Sequence, residues 1–239
     1  KPDRGEINNT GDILETALIL GRNGYPEYYQ DAECIIRSHL LPSQLRDISF
    51  IKEPPNPDGE DGKRNVAKRH LGAFGFPAPY GHQPIDIEQV SFNMDIVGGA
   101  VASLCEVIQE IIRSDRSGHR VNLLFDHNTP ELKIESPYTH PALRIWVKHP
   151  APLFVRIPSW ANIDQIKVEG TTDPPQVSDN FLCIPQPPIN RPLTFVFDLP
   201  EREISLSHRT RRIRARLRGD QIFAMENFGA KLTFFDPLN

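Results

Sequence analysis

The first half of the chain carries the hydrophobic spacing of α-helices. Apolar residues recur every three or four positions between residues 10 and 114, which predicts a core-facing stripe on each helix. Thr10 supplies a capping side chain for the first helix, and Gly21 follows its last apolar residue. The predicted helices run from Thr10 to about Leu20, from Pro26 to Leu40, and from about Asp95 to Arg113.

Beyond Ser114 the spacing changes to an alternation of apolar and polar residues, which is typical of half-buried β-strands. Prolines, glycines, asparagines and aspartates separate the short apolar runs and predict turns. The predicted strands are Val121–Phe125, Leu132–Glu135, Leu143–Val147, Leu153–Ile157, Ile166–Val168, Phe181–Ile184, Leu193–Leu199, Ile204–Ser207, Arg212–Leu217, Gln221–Met225 and Lys231–Phe235. We therefore predict an α+β fold, with a helical part in residues 1–116 and an antiparallel β-sandwich in residues 117–239.

Composition and charge narrow the classes of function. The 239 residues are 38% hydrophobic and carry a net charge of −4, which argues against a general nucleic-acid-binding protein. The longest uncharged apolar run, Ile96–Cys105, is too short to cross a membrane. Cys34, Cys105 and Cys183 are isolated and lack the spacing of metal ligands, so we expect no metal and no cofactor. The sequence does not indicate a cellular location.

The segment Gly72–His82 combines aromatic residues with prolines and glycines, so we expect neither a helix nor a central strand there. A shaped loop beside a helix start makes room for a ligand. Aromatic faces stack on the apolar faces of sugars, and histidine donates hydrogen bonds to hydroxyl groups. We expect Phe76, Tyr80 and His82 to contact a saccharide. The alternative is that the aromatic side chains plug the end of a helical barrel.

Two aspartates, Asp12 and Asp95, lie in the first turns of predicted helices. If both helix starts face one cleft, their carboxylates provide the acid and the base or nucleophile of glycosidic bond cleavage. Glu6 precedes the first helix on the same rim, near Asn8 and Asn9, whose amides suit the recognition of hydroxyl groups. The alternative is structural, because capping and the helix dipole alone favour aspartate near a helix N-terminus.

Six arginines fall within the segment Arg209–Arg218. On a strand, the even-numbered arginines from Arg212 to Arg218 share one face, and the apolar residues between them share the other. Nucleic-acid binding needs a broader basic surface with interleaved aromatic residues. We therefore expect a solvated strand face or an ion-paired interface.

Several segments resemble one family in the same chain order. They are Gly11-Asp-Ile-Leu-Glu-Thr-Ala-Leu18, Glu27-Tyr-Tyr-Gln-Asp-Ala-Glu33, Asp95–Glu106, Val121-Asn-Leu-Leu-Phe125, Phe154-Val-Arg-Ile-Pro-Ser-Trp-Ala161 and Leu217-Arg-Gly-Asp220. With them the chain resembles the C-terminal half of the β-L-arabinofuranosidase-like proteins, glycoside hydrolase family 127 and its relatives. The resemblance implies the later part of an (α/α)6 toroid, the six-hairpin glycosidase barrel, followed by a β-sandwich. The N-terminal remainder of the barrel is expected to lie outside this chain.

Members of that family place a Glu-x-Cys pair at the first of these helix starts and a Cys-Cys pair at the other, where they hold zinc and supply a thiolate nucleophile. The corresponding segments here are Gly11-Asp12-Ile13 and Asp95-Ile96, without cysteine. The expected function is therefore a glycoside hydrolase that acts on saccharides through Asp95 and either Asp12 or Glu6, without the zinc-thiolate site. Two alternatives are a non-catalytic carbohydrate-binding or structural domain of the same architecture, and an assembly module that docks through the arginine-rich strand.

Overall fold

A computed structural model describes residues 7–46, 48–49, 51–74, 94–208, 211–226 and 235–238, and of residues 94–97, 208 and 211 it describes the backbone only. The described chain combines helices with several β-sheets, which confirms the α+β class. The helices are α1 (Ile7–Arg22), α2 (Tyr28–Ile35), which continues as a π-helix (Ile36–Leu40), α3 (Val66–His70) and α4 (Met94–Ile111).

The strands are short and begin directly after α4, and a 3-10 helix (Ile163–Gln165) lies between β6 and β7. They are β1 (Ile112–Asp115), β2 (Gly118–Val121), β3 (His127–Asn128), β4 (Leu132–Glu135), β5 (Leu143–Val147), β6 (Leu153–Arg156), β7 (Lys167–Glu169), β8 (Gln176–Ser178), β9 (Phe181–Ile184), β10 (Pro192–Val196), β11 (Glu201–His208), β12 (Arg211–Arg218), β13 (Gln221–Met225) and β14 (Asp236–Pro237). Four predicted strands match their observed bounds, namely β4, β5, β9 and β13. The predicted strand Lys231–Phe235 falls almost entirely outside the described residues.

The strands form three sheets with the orders β1-β2-β6-β9-β8, β3-β4-β5-β10-β7 and β11-β12-β13-β14. The second sheet is antiparallel throughout, as predicted. The prediction is wrong at two pairs, because β2 pairs with β6 in parallel and β13 pairs with β14 in parallel. Parallel neighbours require a crossover connection. Strands β3 to β5 provide it for the first pair.

The chain divides into two compact units. The first comprises Lys1–Leu14, Cys34–Ser103 and Arg202–Asn239, and the second comprises Glu15–Glu33 and Leu104–Glu201. Along the chain, helix changes to strand between Ile111 and Ile112. The division into residues 1–116 and 117–239 stays a prediction.

In the second unit, one face of the second sheet is apolar and buried. Strands β4 and β5 alternate buried and half-buried positions, as the period-two pattern predicts. The buried side chains on β4, β5 and β10 are Leu132, Ile134, Leu143, Ile145, Val147, Leu193 and Phe195.

The predicted strand Val121–Phe125 is wrong beyond its first residue. The backbone groups of this segment bond to other elements of the second unit instead of a neighbouring strand. The backbone N–H of Asn122 donates to the carbonyl of Ile111, 3.0 Å away, and that of Leu124 donates to the Glu33 carboxylate at 3.2 Å. An apolar run cannot reveal that a helix side chain takes the place of a strand partner.

In the first unit, the prediction for the arginine-rich strand is confirmed. Strand β12 exposes Arg212, Arg214, Arg216 and Arg218 and buries the apolar residues between them. The buried cluster of this sheet consists of Ile213, Ala215, Leu217, Ile222, Met225 and Phe235.

A buried ion pair ties α2 to β6 within the second unit. The guanidinium of Arg156 pairs with the carboxylate of Glu33, and both side chains are almost fully buried. The other nitrogens of Arg156 donate to the backbone carbonyl of Asn122 at 2.5 Å and to the side-chain carbonyl of Gln30 at 2.7 Å. Gln30 also accepts a hydrogen bond from the backbone of Ser159 at 3.0 Å. The Glu27–Glu33 and Phe154–Ala161 segments therefore meet through satisfied polar contacts.

We predict that Glu33→Gln lowers the free energy of unfolding by about 3–5 kcal/mol, because it leaves the charge of Arg156 buried without its partner. Urea denaturation measures this change. Glu27→Gln is the matched control, since Glu27 is exposed, and it should change stability by less than about 0.5 kcal/mol. Equal effects of the two substitutions would contradict a structural role for the ion pair.

Candidate functional site

Helices α1 and α4 lie side by side at their N-terminal ends in the first unit. A Cβ atom added at Gly99 would overlap Oδ1 of Asn8, and one added at Gly11 would lie 2.5 Å from Oγ of Ser103. The contacts advance in the same direction along both helices, from Asn8 with Gly99 to Gly11 with Ser103. The helices are therefore parallel, and their N-termini are at the same end.

The close approach depends on small residues. Gly99 and Gly11 have no side chain to separate the two helices, and Asn8 fills the space beside Gly99. Oδ1 of Asn8 is buried and accepts no hydrogen bond from the described part of the chain. Asn9 and Asp12, one residue and one turn further along α1, are exposed. Asn8 is thus a packing residue here, and Asn9 and Asp12 are accessible to a ligand.

The register of α1 against α4 gives the offset along the helix axis between the two predicted catalytic aspartates, Asp12 and Asp95. Asp12 follows Gly11 and lies at the level of Ser103, whereas Asp95 lies eight residues before Ser103 on α4, about 12 Å along the helix. Glycosidase carboxyl pairs are about 5–10 Å apart. The backbone of Asp95 lies in the first turn of α4, as predicted, but its side chain is outside the described atoms.

Four other predicted site residues lie outside the described residues, namely Glu6, Phe76, Tyr80 and His82. Their roles stay predictions.

Sequence reasoning missed a histidine beside the first helix start. Nδ1 of His39 is 3.0 Å from Oγ1 of Thr10, so these side chains share a hydrogen bond within the first unit. His39 lies on the π-helix, where the backbone N–H of Leu41 reaches the carbonyl of Ile36. The prediction of Thr10 as a helix cap is wrong, because α1 begins at Ile7 and Thr10 lies inside it. A π-helix shifts later side chains around the axis, and a 3.6-residue period does not reveal that shift.

A cleft of about 700 Å³ in the second unit lies where the two segments joined by the ion pair meet. Its wall includes Glu27, Tyr28 and Asp31 on one side and Ile157 and Pro158 on the other. Glu27 and Asp31 are exposed carboxylates, so the cleft offers acceptors for hydroxyl or amino groups.

A second buried carboxylate, Glu110, also serves packing in the second unit. It accepts a hydrogen bond from the hydroxyl of Tyr29 at 2.9 Å and pairs with Arg22 at 2.9 Å and Arg113 at 2.7 Å. Burial and the adjacent carboxylate of Glu110 raise the pKa of Tyr29 well above its ordinary value. Gly21 allows the ring of Tyr29 to approach α1 closely.

An open cleft of about 510 Å³ beside β3 and β4 holds further titratable groups. Asp126 accepts hydrogen bonds from the backbone of Ser136 at 2.6 Å and from the hydroxyl of Thr139 at 2.7 Å, so it organises a turn. Burial lowers the pKa of His127. The hydrogen bond from Lys133, supported by Arg144, lowers the pKa of Glu135.

Neither a metal site nor a membrane span is found where the structure is described. No three His, Cys, Asp or Glu side chains of the described residues are grouped as metal ligands. No described helix has the length and hydrophobicity needed to cross a membrane.

Solved structures with a similar fold include a protein named glycoside hydrolase and a GH127 β-arabinofuranosidase. The first aligns with a TM-score of 0.55 and 13% identity over 85% of this chain, and the second with a TM-score of 0.56 and 14% identity over 91%. The chain spans only about a third of either structure, 35% and 36%. At these identities the comparison establishes a distant glycoside hydrolase-like fold.

No protein-family model matches the chain, and no curated protein does.

We predict that Gly99→Ala is less stable than Gly98→Ala by about 1 kcal/mol or more. Both substitutions improve helix propensity equally, but only the Cβ at position 99 meets Asn8, whereas position 98 has open space. Thermal or urea unfolding of the two variants measures the difference. Adding Asn8→Ala to Gly99→Ala should restore the lost stability; purely additive effects would contradict the proposed contact.

The raised pKa of Tyr29 predicts a loss of stability in alkali. In the unfolded chain Tyr29 releases its proton near pH ~10, while the folded protein retains it. The stabilisation is therefore fully present below about pH 10 and decreases as pH rises further. Urea unfolding across this range should show a steeper decline for the native protein than for Tyr29→Phe. Parallel curves would show that the folded environment of Tyr29 does not disfavour its ionisation.

Proposed function

We propose that this chain is part of a glycoside hydrolase-like protein that acts on saccharides at the shared N-terminal end of α1 and α4. The observation that carries the proposal is the parallel packing of these helices through Gly99 and Gly11. Helix N-termini present unpaired N–H groups and a partial positive charge, which suit carboxylates and sugar hydroxyls. The fold similarity to two glycosidases supports the same class of substrate.

In the proposed architecture, α1 and α4 belong to the inner ring of an (α/α)6 barrel, and the strands form the β-sandwich that follows. Ile13 on α1 is 61% exposed and Val101 on α4 is 48% exposed, both in the first unit. Further barrel helices from the N-terminal remainder of the protein would cover them.

In the proposed mechanism, Asp95 protonates the glycosidic oxygen as the leaving group departs. A second carboxylate, Asp12 or Glu6, acts as the base that activates water or as the nucleophile at the anomeric carbon. Asn9, with Phe76, Tyr80 and His82, would position the sugar. The helix register offsets Asp12 from Asp95 by about 12 Å of helix length, which weighs against Asp12 in the second role.

The same register also favours a second candidate function, a domain that binds saccharide without cleaving it. Carboxylates too far apart for joint acid–base work still accept hydrogen bonds from hydroxyl groups. Under this alternative, the exposed Asn9 and Asp12 contribute to recognition alone.

We predict that Asp95→Asn reduces hydrolysis of aryl glycosides by about 100-fold or more while sugar binding is retained, because the amide cannot donate the required proton. Initial rates measure the hydrolysis of aryl glycosides, and calorimetry measures sugar binding. Asp173→Asn is the matched control and should leave hydrolysis and binding unchanged, since Asp173 is exposed and lines neither cleft described above.

Unchanged hydrolysis by Asp95→Asn would overturn the assignment of the catalytic acid. Sugar binding without turnover by the native protein, across a panel of glycosides that includes arabinofuranosides, would establish the alternative.

A further inference from the structure

A cavity of about 300 Å³ in the first unit lies between the segment after the π-helix and the β13 hairpin. Its apolar lining comes from Leu41, Pro42, Ile222 and Phe235. A volume of this size is at the lower end for ligand sites and holds one sugar-sized ring. No proposed catalytic residue lines it.

The rim of this cavity carries polar side chains that are not engaged with the described part of the protein. Arg46, Gln221 and Asp236 line the cavity and are exposed. The described residues offer none of these three side chains a hydrogen bond or an ion pair. Phe223, 37% exposed, adds an aromatic surface to the same lining. A cation, an amide, a carboxylate and an aromatic face thus surround one cavity whose lining is partly polar and partly apolar.

The arginine face of β12 leads up to this cavity. Arg218 pairs directly across the hairpin with Gln221, and the other exposed arginines follow at alternate positions, about 7 Å apart. Arg214 pairs with Glu226 at 3.2 Å and approaches Glu203 at 3.8 Å. The two end arginines, Arg212 and Arg218, make no ion pair with any carboxylate that the structure describes.

We propose that this cavity and the adjoining arginine face bind a uronate-containing, acidic polysaccharide, with one uronate ring in the cavity. The guanidinium of Arg46 suits the sugar carboxylate, because arginine donates two parallel hydrogen bonds to such a group. Phe223 suits the apolar face of the ring. Gln221 and Asp236 suit its hydroxyl groups, and Arg218 suits the carboxylate of the next sugar.

The carboxylates of this surface favour an acidic polysaccharide over a nucleic acid. Asp236 on the rim, and Glu203 and Glu226 among the arginines, repel any anion, so a ligand must offer hydrogen-bond donors for them as well as negative charge for the arginines. Carboxylates accept hydrogen bonds from the many hydroxyl groups of a polysaccharide. The choice of a saccharide rests on the proposed function, whereas the preference for an acidic one rests on this surface alone.

The test compares a galacturonate tetramer, its neutral methyl ester and an oligothymidylate of equal charge, each titrated into the protein by calorimetry. We expect the galacturonate tetramer to bind at least about tenfold more tightly than the other two, because the interaction needs both carboxylates and hydroxyls. Arg46→Gln and Phe223→Ala should each weaken binding about tenfold. Arg191→Gln removes an exposed arginine that does not line the cavity and should leave binding unchanged.

The proposal would be overturned if the ester bound as tightly as the galacturonate tetramer, or if oligothymidylate bound as tightly or more tightly. It would also be overturned if the tetramer did not bind, or if Arg46→Gln and Arg191→Gln had equal effects. Thermal unfolding of each variant checks that it is folded. Asp95→Asn separates this site from the proposed catalysis, since it should retain galacturonate binding. Hydrolysis without uronate binding refutes only this inference, and uronate binding without hydrolysis leaves only the catalytic proposal refuted.

Discussion

The arrangement of the second unit depends on the ion pair between Glu33 and Arg156. Arg156 is on a strand among apolar neighbours, so its guanidinium is removed from water and needs a partner at each nitrogen. Glu33, Gln30 and the backbone of Asn122 supply those partners. Burying such a pair brings little net stability. Its hydrogen bonds, however, depend on how α2 lies against β6, and we infer that the pair contributes to the specificity of this arrangement.

The contacts of Glu33 also help to explain which strands could be predicted from the sequence. Strands β4 and β5 follow the period-two pattern because one sheet face is buried and the other is not, so burial is visible in the sequence. The segment after Val121 is equally apolar, but Glu33 accepts the backbone N–H of Leu124, and no local pattern encodes a helix carboxylate as a strand partner. Likewise, the parallel pairing of β2 with β6 depends on a crossover through another sheet.

Around the candidate site, the presence of the helices α1 and α4 was predictable, but the surroundings of their side chains were not. The sequence around Gly99 is rich in glycine and alanine, a composition that favours close helix packing, and the contact with Asn8 is of that kind. Asn8 and Asn9 look equivalent in the sequence, yet helix rotation leaves Asn9 exposed and makes Asn8 half-buried, with its Oδ1 atom buried beside Gly99. The contact of His39 with Thr10 was missed because a helical period shows which face of a helix is covered, but not which helix covers it.

The acidic residues of this chain differ in burial, and burial limits the roles that each of them can have. Glu33 and Glu110 are fully buried and held by guanidinium groups, so they serve packing and have no access to a substrate. Asp12 and Asp31 are exposed, and water screens their charges. A general acid needs an intermediate environment, in contact with substrate but shielded enough to hold its proton near neutral pH. At the start of α4, such shielding requires neighbouring elements around the helix N-terminus. The proposed catalytic role of Asp95 therefore depends on the proposed barrel, because enclosing helices would supply the shielding that a general acid needs.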